Sequence, residues 1–295
     1  MDSESKKSLD ITGIVVESTD PRGTLPRVLT IAGTDPTGGA GVQADLKSFM
    51  AAGAYGMSVV TALVAQNTQG VRAVHTPPLS FLQEQFDAVL DDVAVDAVKI
   101  GMLGTADIVA SVSRFLDALA PNTPVVLDPV MVATSGDRLL DEEAEAAVRE
   151  LCRQVTVITP NLKELAVLTS TPHASSLDEA ISIAQDWASE TGTYVIAKGG
   201  HLQAGHADNA AVGPEGVLCR VSSPRVDTKN THGTGCSLSS ALAARLGAGE
   251  TLPDALEWST TWLHEAIENA DGLRVGHGHG PVDHGHQLRR QAGLL

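Results

Sequence analysis

Short runs of β-branched and apolar residues alternate with amphipathic stretches along most of the chain. Several runs, such as VVLDPV, VTVITP and YVIAK, are apolar on both faces, which is typical of strands in a parallel sheet covered by helices on both sides. Between these runs, apolar residues recur at helical spacing, as in Leu79–Val93. The alternation predicts the α/β class with a mostly parallel sheet.

The same pattern predicts where the elements lie. We expect strands at Val28–Ala32, Ser58–Ala65, Ala97–Gly101, Val125–Asp128, Thr156–Thr159 and Tyr194–Lys198. We expect helices at Val42–Ala52, Leu79–Val93, Ala106–Leu119, Glu142–Cys152, Leu162–Leu168, Leu177–Ala188, Cys236–Leu246 and Leu252–Asn269. Residues 1–26 mix charge, Ser, Gly and Pro and are expected to form a flexible extension before one domain over residues 27–295.

Charge and cysteine content exclude several classes of protein. The formal net charge of −16 argues against a nucleic-acid partner, because phosphates require basic neutralisation. No apolar run approaches the ~18 residues of a membrane span. Three widely spaced cysteines without a CxxC pair argue against a disulfide framework and a structural zinc site. The N-terminus lacks the apolar core of a signal peptide, so we expect a cytoplasmic protein.

A glycine-rich segment follows the first predicted strand, over Ile31–Asp45. Its glycines permit close backbone approach to a ligand, and the N-terminus of the helix that follows favours an anion or a polar ligand atom. The segment is neither a GxxxxGK[ST] loop nor a GxGxxG fingerprint. A plain strand-to-helix turn explains the glycines equally well.

A second glycine-rich segment, Asn230–Cys236, opens another predicted helix. Gly233 and Gly235 leave successive N–H groups free at the helix start, which predicts a nest for an oxyanion or a phosphate. Cys236 falls in the first turn, where the helix dipole is expected to lower the pKa of its thiol. The alternative is a buried and inert cysteine.

Charged and polar side chains follow three further predicted strands. Asp128 ends one strand, and Mg²⁺ held through water is a natural partner for it. Lys198 ends another and suits a triphosphate as a point charge. Asn161 and Glu164 begin a helix with the spacing of a capping box, which explains both residues without a function.

A glutamine follows the predicted strand Ser58–Ala65. The amide of Gln66 offers a hydrogen-bond donor and an acceptor side by side. That pairing fits the edge of a heterocycle such as an aminopyrimidine.

Four of the ten histidines fall at His277, His279, His284 and His286. A tract of this kind is compatible with metal binding. We favour a polar loop, because no cluster of carboxylates or cysteines accompanies the histidines.

The chain resembles the hydroxymethylpyrimidine/phosphomethylpyrimidine kinases of thiamine biosynthesis, within the ribokinase-like superfamily. The resemblance runs from about Arg27 to His286 and rests on TIAGTDPTGGAGVQADLKSF, GAYGMSVVTALVAQNTQGV, KIGMLG, VVLDPVM, TPNLKE, KGGH, KNTHGTGCSLSSALAA and VGHGHGPVDH. It implies a three-layer α/β/α sandwich. It also implies ATP-dependent phosphorylation of 4-amino-5-hydroxymethyl-2-methylpyrimidine, and of the monophosphate to the diphosphate.

The resemblance also implies a role for individual residues. The pyrimidine pocket would comprise Gly33, Asp45, Gln66, Met102 and Val130. The anion hole would comprise Gly233, Thr234, Gly235 and Cys236, with Cys236 as the base that accepts the hydroxyl proton. Asp128 and Glu164 would organise Mg²⁺, and Asn161, Lys198 and Thr231 would contact ATP phosphates or their metal.

Two other functions remain compatible with the sequence. Pyridoxal kinases belong to the same subfamily and also act on a hydroxymethyl heterocycle. A non-catalytic ligand-binding protein on the same scaffold would not need Cys236 or Asp128, which are both present. The resemblance further implies a homodimer. Since the kinase pattern ends near the C-terminus, we expect no fused thiamine-phosphate synthesis domain in this chain.

Overall fold

A computed structural model describes residues 25–131, 142–200, 202 and 205–295 of the chain. The predicted extension over residues 1–26 therefore lies almost wholly outside the described residues. The strands are β1 (Arg27–Ala32), β2 (Tyr55–Val60), β3 (Leu63–Asn67), β4 (Gly70–His75), β5 (Ala97–Ile100), β6 (Val125–Leu127), β7 (Val157–Ile158), β8 (Tyr194–Lys198), β9 (Asn209–Gly213) and β10 (Gly216–Val221).

The helices follow the predicted positions closely. They are α1 (Gly41–Ala51), α2 (Leu79–Leu90), α3 (Ala106–Leu116), α4 (Glu142–Cys152), α5 (Leu162–Thr169), α6 (Leu177–Thr191), α7 (Thr234–Gly247), α8 (Leu252–Glu268) and α9 (His286–Gln291). The last of these was not predicted. Within the described part of the chain, no helix combines the length and the apolarity that crossing a membrane requires.

Eight of the strands form one sheet in the order β10-β9-β8-β7-β6-β5-β1-β2. The pairs from β2 across to β8 are parallel, whereas β9 and β10 join antiparallel at one edge. The prediction of an α/β fold with a mostly parallel sheet is confirmed. The chain changes direction across the sheet between β1 and β5, and ligands bind at such switch points beyond the carboxyl ends of the strands.

Helices cover the sheet on both faces, which makes three layers. Alternate residues of each strand enter opposite cores: Val28 and Ala97 pack with α7 and α8, while Leu29 and Val98 pack on the other side with α2 and α3. This two-residue alternation is why the central strands are apolar throughout. Because helices cover both faces, a ligand can reach the sheet only where the strands end.

The predicted strand Ser58–Ala65 is wrong as a single element, because the chain turns out of the sheet at Thr61. The Thr61 hydroxyl donates to the Met102 carbonyl at 2.8 Å, and Thr34 donates its N–H to the Ala62 carbonyl. Beyond this break, β3 and β4 form a separate two-stranded antiparallel hairpin. Gln66 therefore lies on a strand of this hairpin and not in a loop after a strand.

Candidate active site

A cavity of about 720 Å³ lies at the carboxyl edge of the large sheet. Loops that follow β1, β5, β6, β7 and β8 bring their polar residues to it, together with the start of α7. Every residue that the resemblance assigns to the site except Asp45 lines this cavity: Gly33, Gln66, Met102, Asp128, Val130, Asn161, Glu164, Lys198, Thr231, Gly233, Thr234, Gly235 and Cys236.

The second glycine loop, residues 230–236, leads straight into α7. Gly233 is the N-cap and has a left-handed backbone, with φ 82° and ψ 10°. Glycine brings no capping side chain, and although the Thr234 N–H contacts the Thr231 carbonyl at 3.4 Å, the N–H groups of Gly235 and Cys236 are left for a ligand. A Cβ at Gly235 would lie 3.3 Å from Asp128 Oδ2 and 3.8 Å from Lys198 Nζ, so this helix start faces both charged groups. The arrangement suits a phosphoryl group.

Cys236 lies in the first turn of α7 and on the cavity wall. Burial raises the pKa of its thiol to about 11, while the charge of Lys99 and the N–H of Gly41 act in the opposite direction. The prediction that the helix dipole lowers the pKa of the Cys236 thiol is therefore wrong. The physical reason is that loss of water around the sulfur outweighs the favourable charge and hydrogen bond.

Asp45 does not line the cavity, because buried neighbouring side chains donate hydrogen bonds to both oxygens of its carboxylate. Lys99 donates to Oδ1 at 2.7 Å and Ser240 donates to the same atom at 2.7 Å, while Thr30 donates to Oδ2 at 2.6 Å. Both Lys99 and Asp45 are fully buried. Burial would lower the pKa of Lys99, but the charges of Asp45, Cys236 and Asp128 and the hydrogen bond to Asp45 together outweigh burial and hold that pKa above its usual value.

Lys99 itself lines the cavity, and sequence reasoning missed it. It lies inside β5, in the sequence AVKI, whose four residues are all buried. A lysine is almost never fully buried without a partner. A charged residue in the middle of a covered strand was therefore the signal that could have identified it.

Asp128 and Lys198 meet across the middle of the cavity. Asp128 Oδ1 accepts a hydrogen bond from the Thr159 hydroxyl at 2.9 Å and lies 3.4 Å from Lys198 Nζ. Both carry most of their side chain out of contact with solvent. The cation on β8 therefore faces the carboxylate that follows β6, with the start of α7 beside both.

Asn161 and Glu164 form the capping box at the start of α5. Asn161 Oδ1 accepts from the N–H groups of Lys163 and Glu164, and Glu164 Oε2 accepts from the Asn161 N–H at 2.7 Å. Burial raises the pKa of Glu164 well above its usual range, the Lys198 charge opposes this, and the Asp128 charge adds to it. One carboxylate oxygen thus serves the helix while the residue also lines the cavity.

The first glycine loop, residues 33–41, is held together by the buried carboxylate of Asp35. Oδ1 accepts from the Thr37 N–H and hydroxyl, and Oδ2 accepts from the Ala40 N–H at 2.8 Å. His232 Nε2 donates to Oδ2, also at 2.8 Å, and so ties this loop to the second one. Neither Asp35 nor His232 was predicted. Their role rests on a contact between residues that are distant in sequence.

One end of the cavity carries the residues predicted for the pyrimidine. Gln66 lies at an irregularity in the β3–β4 pairing, between Ala65 and Gln66, which turns its side chain relative to its neighbours. A Cβ at Gly33 would collide with the end of the Met102 side chain, so glycine at this position keeps space beside Met102. Apolar walls and one amide are a suitable combination for a small heterocycle.

The opposite end of the cavity, near β9 and α8, was missed by sequence reasoning. Apolar side chains of Val226, Leu263 and Ile267 form it, with His264 and Thr228 among them. These residues come from an irregular loop and from one face of α8, whose pattern is that of any helix packed on a sheet. No motif could have marked them.

The histidine tract is only partly the polar loop that we predicted. His284 is buried with Nε2 2.8 Å from the Ser237 hydroxyl, and burial lowers the pKa of His284 to about 3. His286 is also buried and its Nε2 lies 3.0 Å from Glu265 Oε2. His277 and His279 are exposed. Among the described residues, no three His, Cys, Asp or Glu side chains gather as metal ligands.

This three-layer α/β/α arrangement, with a cavity at the carboxyl edge of the central sheet, is the ribokinase-like fold of small-molecule kinases. Two solved structures with TM-scores of 0.81 and 0.71 share the fold. The first is pyridoxal kinase of Bacillus subtilis in an ADP complex, 32% identical, covering 90% of this chain and 99% of that one. The second is phosphomethylpyrimidine kinase from Clostridium difficile, 36% identical, covering 82% and 99%.

The phosphomethylpyrimidine kinase family model matches residues 35–283, and the chain belongs to this family. It is 48% identical over 259 residues to the hydroxymethylpyrimidine/phosphomethylpyrimidine kinase of Escherichia coli, covering 88% of this chain and 97% of that protein. It is 60% identical over 265 residues to the thiamine biosynthesis multifunctional protein ThiED of Corynebacterium glutamicum, covering 90% of this chain. The chain spans 35% of the length of that longer relative.

Proposed function

We propose that the chain is an ATP-dependent kinase that phosphorylates 4-amino-5-hydroxymethyl-2-methylpyrimidine and then converts the monophosphate to the diphosphate. The observation that carries the proposal is the grouping of Cys236 and the α7 start with Asp128 and Lys198 in one cavity. The names of the Escherichia coli and Clostridium difficile relatives support the substrate. The ADP complex of the Bacillus subtilis relative supports the nucleotide.

The sheet order separates the two substrates within the cavity. Gln66 and Met102 lie on the β1–β2 side, so the pyrimidine ring binds there with its amino group and ring nitrogen on the Gln66 amide. Val226, Leu263 and Ile267 lie on the β9–β10 side and provide apolar surface for the adenine. The hydroxymethyl group and the γ-phosphate then meet between them, at the α7 start.

Lys198, Asn161 and Thr231 bind the ATP phosphates in this arrangement. Lys198 Nζ lies 3.8 Å from where a Cβ at Gly235 would be, so its charge and the first-turn N–H groups act on the same phosphoryl oxygens. Because phosphoryl transfer depends mainly on positioning and charge neutralisation, these groups supply most of what the reaction needs. They also offset the formal net charge of −16 over the short range where ATP binds.

Asp128 and Glu164 fit the divalent cation that accompanies ATP. Their side chains are both buried at the cavity, and burial together with the Asp128 charge favours the protonated form of Glu164, a state that a bound cation would reverse. Mg²⁺ binds through one or two carboxylates together with substrate phosphates and water, so no cluster of three protein ligands is needed. When bound, Mg²⁺ supplies charge neutralisation at the transferring phosphate.

Cys236 accepts the proton of the substrate hydroxyl. The hydroxymethyl oxygen forms a bond to the γ-phosphorus, the bond from phosphorus to the β-phosphate oxygen breaks, and ADP leaves. A loose transition state keeps the hydroxyl proton until late. Because burial raises the pKa of the Cys236 thiol to about 11, the thiol must first lose its own proton to solvent, and the thiolate that the Lys99 charge favours then accepts the proton of the substrate hydroxyl.

The decisive experiment measures ADP formation with the pyrimidine alcohol and, separately, with its monophosphate, and identifies the products by mass spectrometry. We expect ADP in both reactions and the diphosphate at the end. ADP formation in the reaction with the alcohol but not in the reaction with the monophosphate would refute the second phosphorylation step. No ADP in either reaction would refute the kinase assignment. Asp128→Asn is the matched loss-of-charge control and should lower both rates.

Pyridoxal is the second candidate substrate, favoured by the likeness to pyridoxal kinases, including that of Staphylococcus aureus with a TM-score of 0.79 at 29% identity in its complex with AMP-PCP and pyridoxal. The two substrates should be compared by kcat/KM in the same assay. We expect the pyrimidine to be preferred, and a higher kcat/KM for pyridoxal would overturn that order. The homodimer, the cytoplasmic location and the absence of a nucleic-acid partner stay predictions. Light scattering, cell fractionation and filter binding, respectively, would test them.

A further inference from the structure

The glycine strap, residues 276–281, contacts the tip of the β3–β4 hairpin. Gly278 donates its N–H to Thr68 Oγ1 at 3.2 Å, and His279 donates its N–H to the Thr68 carbonyl at 3.1 Å. Thr68 lies in the turn between the two strands, two residues after Gln66. The hairpin that carries Gln66 is therefore held at its tip by a segment from the other end of the chain.

The same strap contacts the second glycine loop. Gly280 donates its N–H to Asn230 Oδ1 at 3.0 Å and accepts from the His232 N–H at 3.0 Å. His279 Nδ1 also lies 3.0 Å from the Lys229 carbonyl. The strap thus reaches from the hairpin to the loop that ends in Gly233 and Cys236.

Glycine is required at the strap for a steric reason. A Cβ at Gly278 would overlap the Thr68 carbonyl oxygen, and a Cβ at Gly280 would overlap Asn230 Oδ1. Neither glycine has a left-handed backbone, unlike Gly276 with φ 75°. The two positions therefore exclude side chains because of close contact, and not because of backbone conformation.

The hairpin needs such support. An isolated two-stranded hairpin is marginally stable in water, and β3 and β4 do not belong to the eight-stranded sheet. A substrate whose ring Gln66 holds and whose hydroxyl proton Cys236 accepts requires a fixed distance between these two residues. A displacement of about 1 Å can reduce a rate by roughly 10²-fold.

We propose that the glycine strap is a positioning element that sets the place of Gln66 relative to the anion hole, through Thr68 on one side and Asn230 and His232 on the other. The inference rests on the proposed function, because it gives the hairpin the task of holding the pyrimidine. It assigns a role to the glycines and histidines of the tract that metal binding does not explain.

The test compares Gly278→Ala with Gly272→Ala in the full-length protein. Gly272 lies a few residues earlier, and a Cβ there meets nothing within 4 Å. We expect Gly278→Ala to raise the KM of the pyrimidine by about ten-fold or more, with the KM of ATP within about two-fold of wild type. Gly272→Ala should change neither constant. Gln66→Ala provides the reference for a loss confined to the pyrimidine.

A second pair of variants keeps the test decisive where Gly278→Ala fails to fold. Thr68→Val removes the Oγ1 acceptor with little change of shape, and Thr68→Ser retains it. We expect the valine to raise the pyrimidine KM and the serine to leave it near wild type. An unchanged pyrimidine KM in Gly278→Ala or Thr68→Val, or an equal rise in the KM of ATP, would overturn the inference alone. A wild-type protein inactive on the pyrimidine would overturn the proposed function as well.

Discussion

The two glycine loops of this chain look alike in sequence and differ in what their backbone does. In the first glycine loop, Asp35 accepts the N–H groups of Thr37 and Ala40, so the glycines serve a turn built around a buried carboxylate. In the second, the chain passes through Gly233 directly into α7 and leaves the N–H groups of Gly235 and Cys236 to the cavity. A glycine pattern therefore predicts that another group comes close to the backbone, but not whether that group is a side chain of the protein or a ligand.

The two loops are also each other's partners. A Cβ at Gly233 would overlap the Gly39 carbonyl oxygen, and a Cβ at Gly39 would lie 3.0 Å from Pro281 Cβ and closer still to the His232 ring. The backbone N–H of Gly41 also acts to lower the pKa of the Cys236 thiol. The first loop thus acts as a rigid support for the second, and the variants below separate support from chemistry.

The largest expected effect is a loss of stability on replacing the buried Lys99, which lies below the point where the two glycine loops meet. Ser240 on α7 donates directly to the Asp45 carboxylate on α1, and the buried Lys99 donates to the same oxygen, so Asp45 links the helices that follow both loops. Lys99→Met leaves the Asp45 carboxylate buried without its cation and should lower the free energy of unfolding by about 3–5 kcal/mol. Denaturant titration measures it.

A paired variant tests that explanation. Lys99→Met combined with Asp45→Leu replaces both charges by apolar groups and should recover most of the lost stability. A double variant as unstable as Lys99→Met alone would show that the loss comes from packing and not from an unpaired charge.

Replacing the proposed base should have the next largest effect. Cys236→Ala should reduce turnover by about 10²-fold or more, the usual range for a general base, while the melting temperature and the KM of ATP stay near wild type. Cys219→Ala is the matched control, because Cys219 lies on β10 and is not part of the cavity wall. Unchanged turnover in Cys236→Ala would disprove the assignment of the base.

Gly233→Ala tests the contact between the loops. Its Cβ must displace the Gly39 carbonyl and with it the amide of Gly41, so we expect roughly 10²-fold lower kcat/KM from misplacement of the anion hole. Gly53→Ala shares the left-handed strain, with φ 80° against 82°, and its Cβ meets nothing within 4 Å. Equal losses in the two variants would attribute the effect to backbone strain alone.

Much of this architecture could be predicted from the sequence, because strand-end residues of a parallel sheet converge on one edge whatever the strand order. That rule and the resemblance to a known family placed Gln66, Asp128, Lys198 and the Gly233–Cys236 turn around one cavity. The break at Thr61 escaped prediction, since it depends on hydrogen bonds to Met102 and Ala32, which are distant in sequence.

Contacts between distant segments account for the other differences. The Asp45 carboxylate was expected to face a ligand, but Lys99 and Ser240, 54 and 195 residues away, occupy it. The thiol of Cys236 was expected to be acidic from its place on a helix, whereas its pKa depends on how much water the surrounding loops exclude. Local pattern predicts elements and their ends; burial and pairing require the folded chain.

The smallest expected effect is the pH dependence of the carboxylate that builds the first loop. Burial of Asp35 opposes ionisation, but hydrogen bonds from His232 and Thr37 outweigh burial and lower its pKa from 3.8 to about 2. A carboxyl with a lowered folded pKa contributes stability above its unfolded pKa, and this contribution is lost as the pH falls through the folded value. For Asp35 the contribution is roughly 2 kcal/mol, lost between about pH 4 and pH 2. Asp35→Asn keeps the shape of the side chain, so the stability difference between the two proteins should shrink by about that amount over this interval. A difference that stays constant down to about pH 2 would show that the first loop is supported by its shape and not by the charge of Asp35.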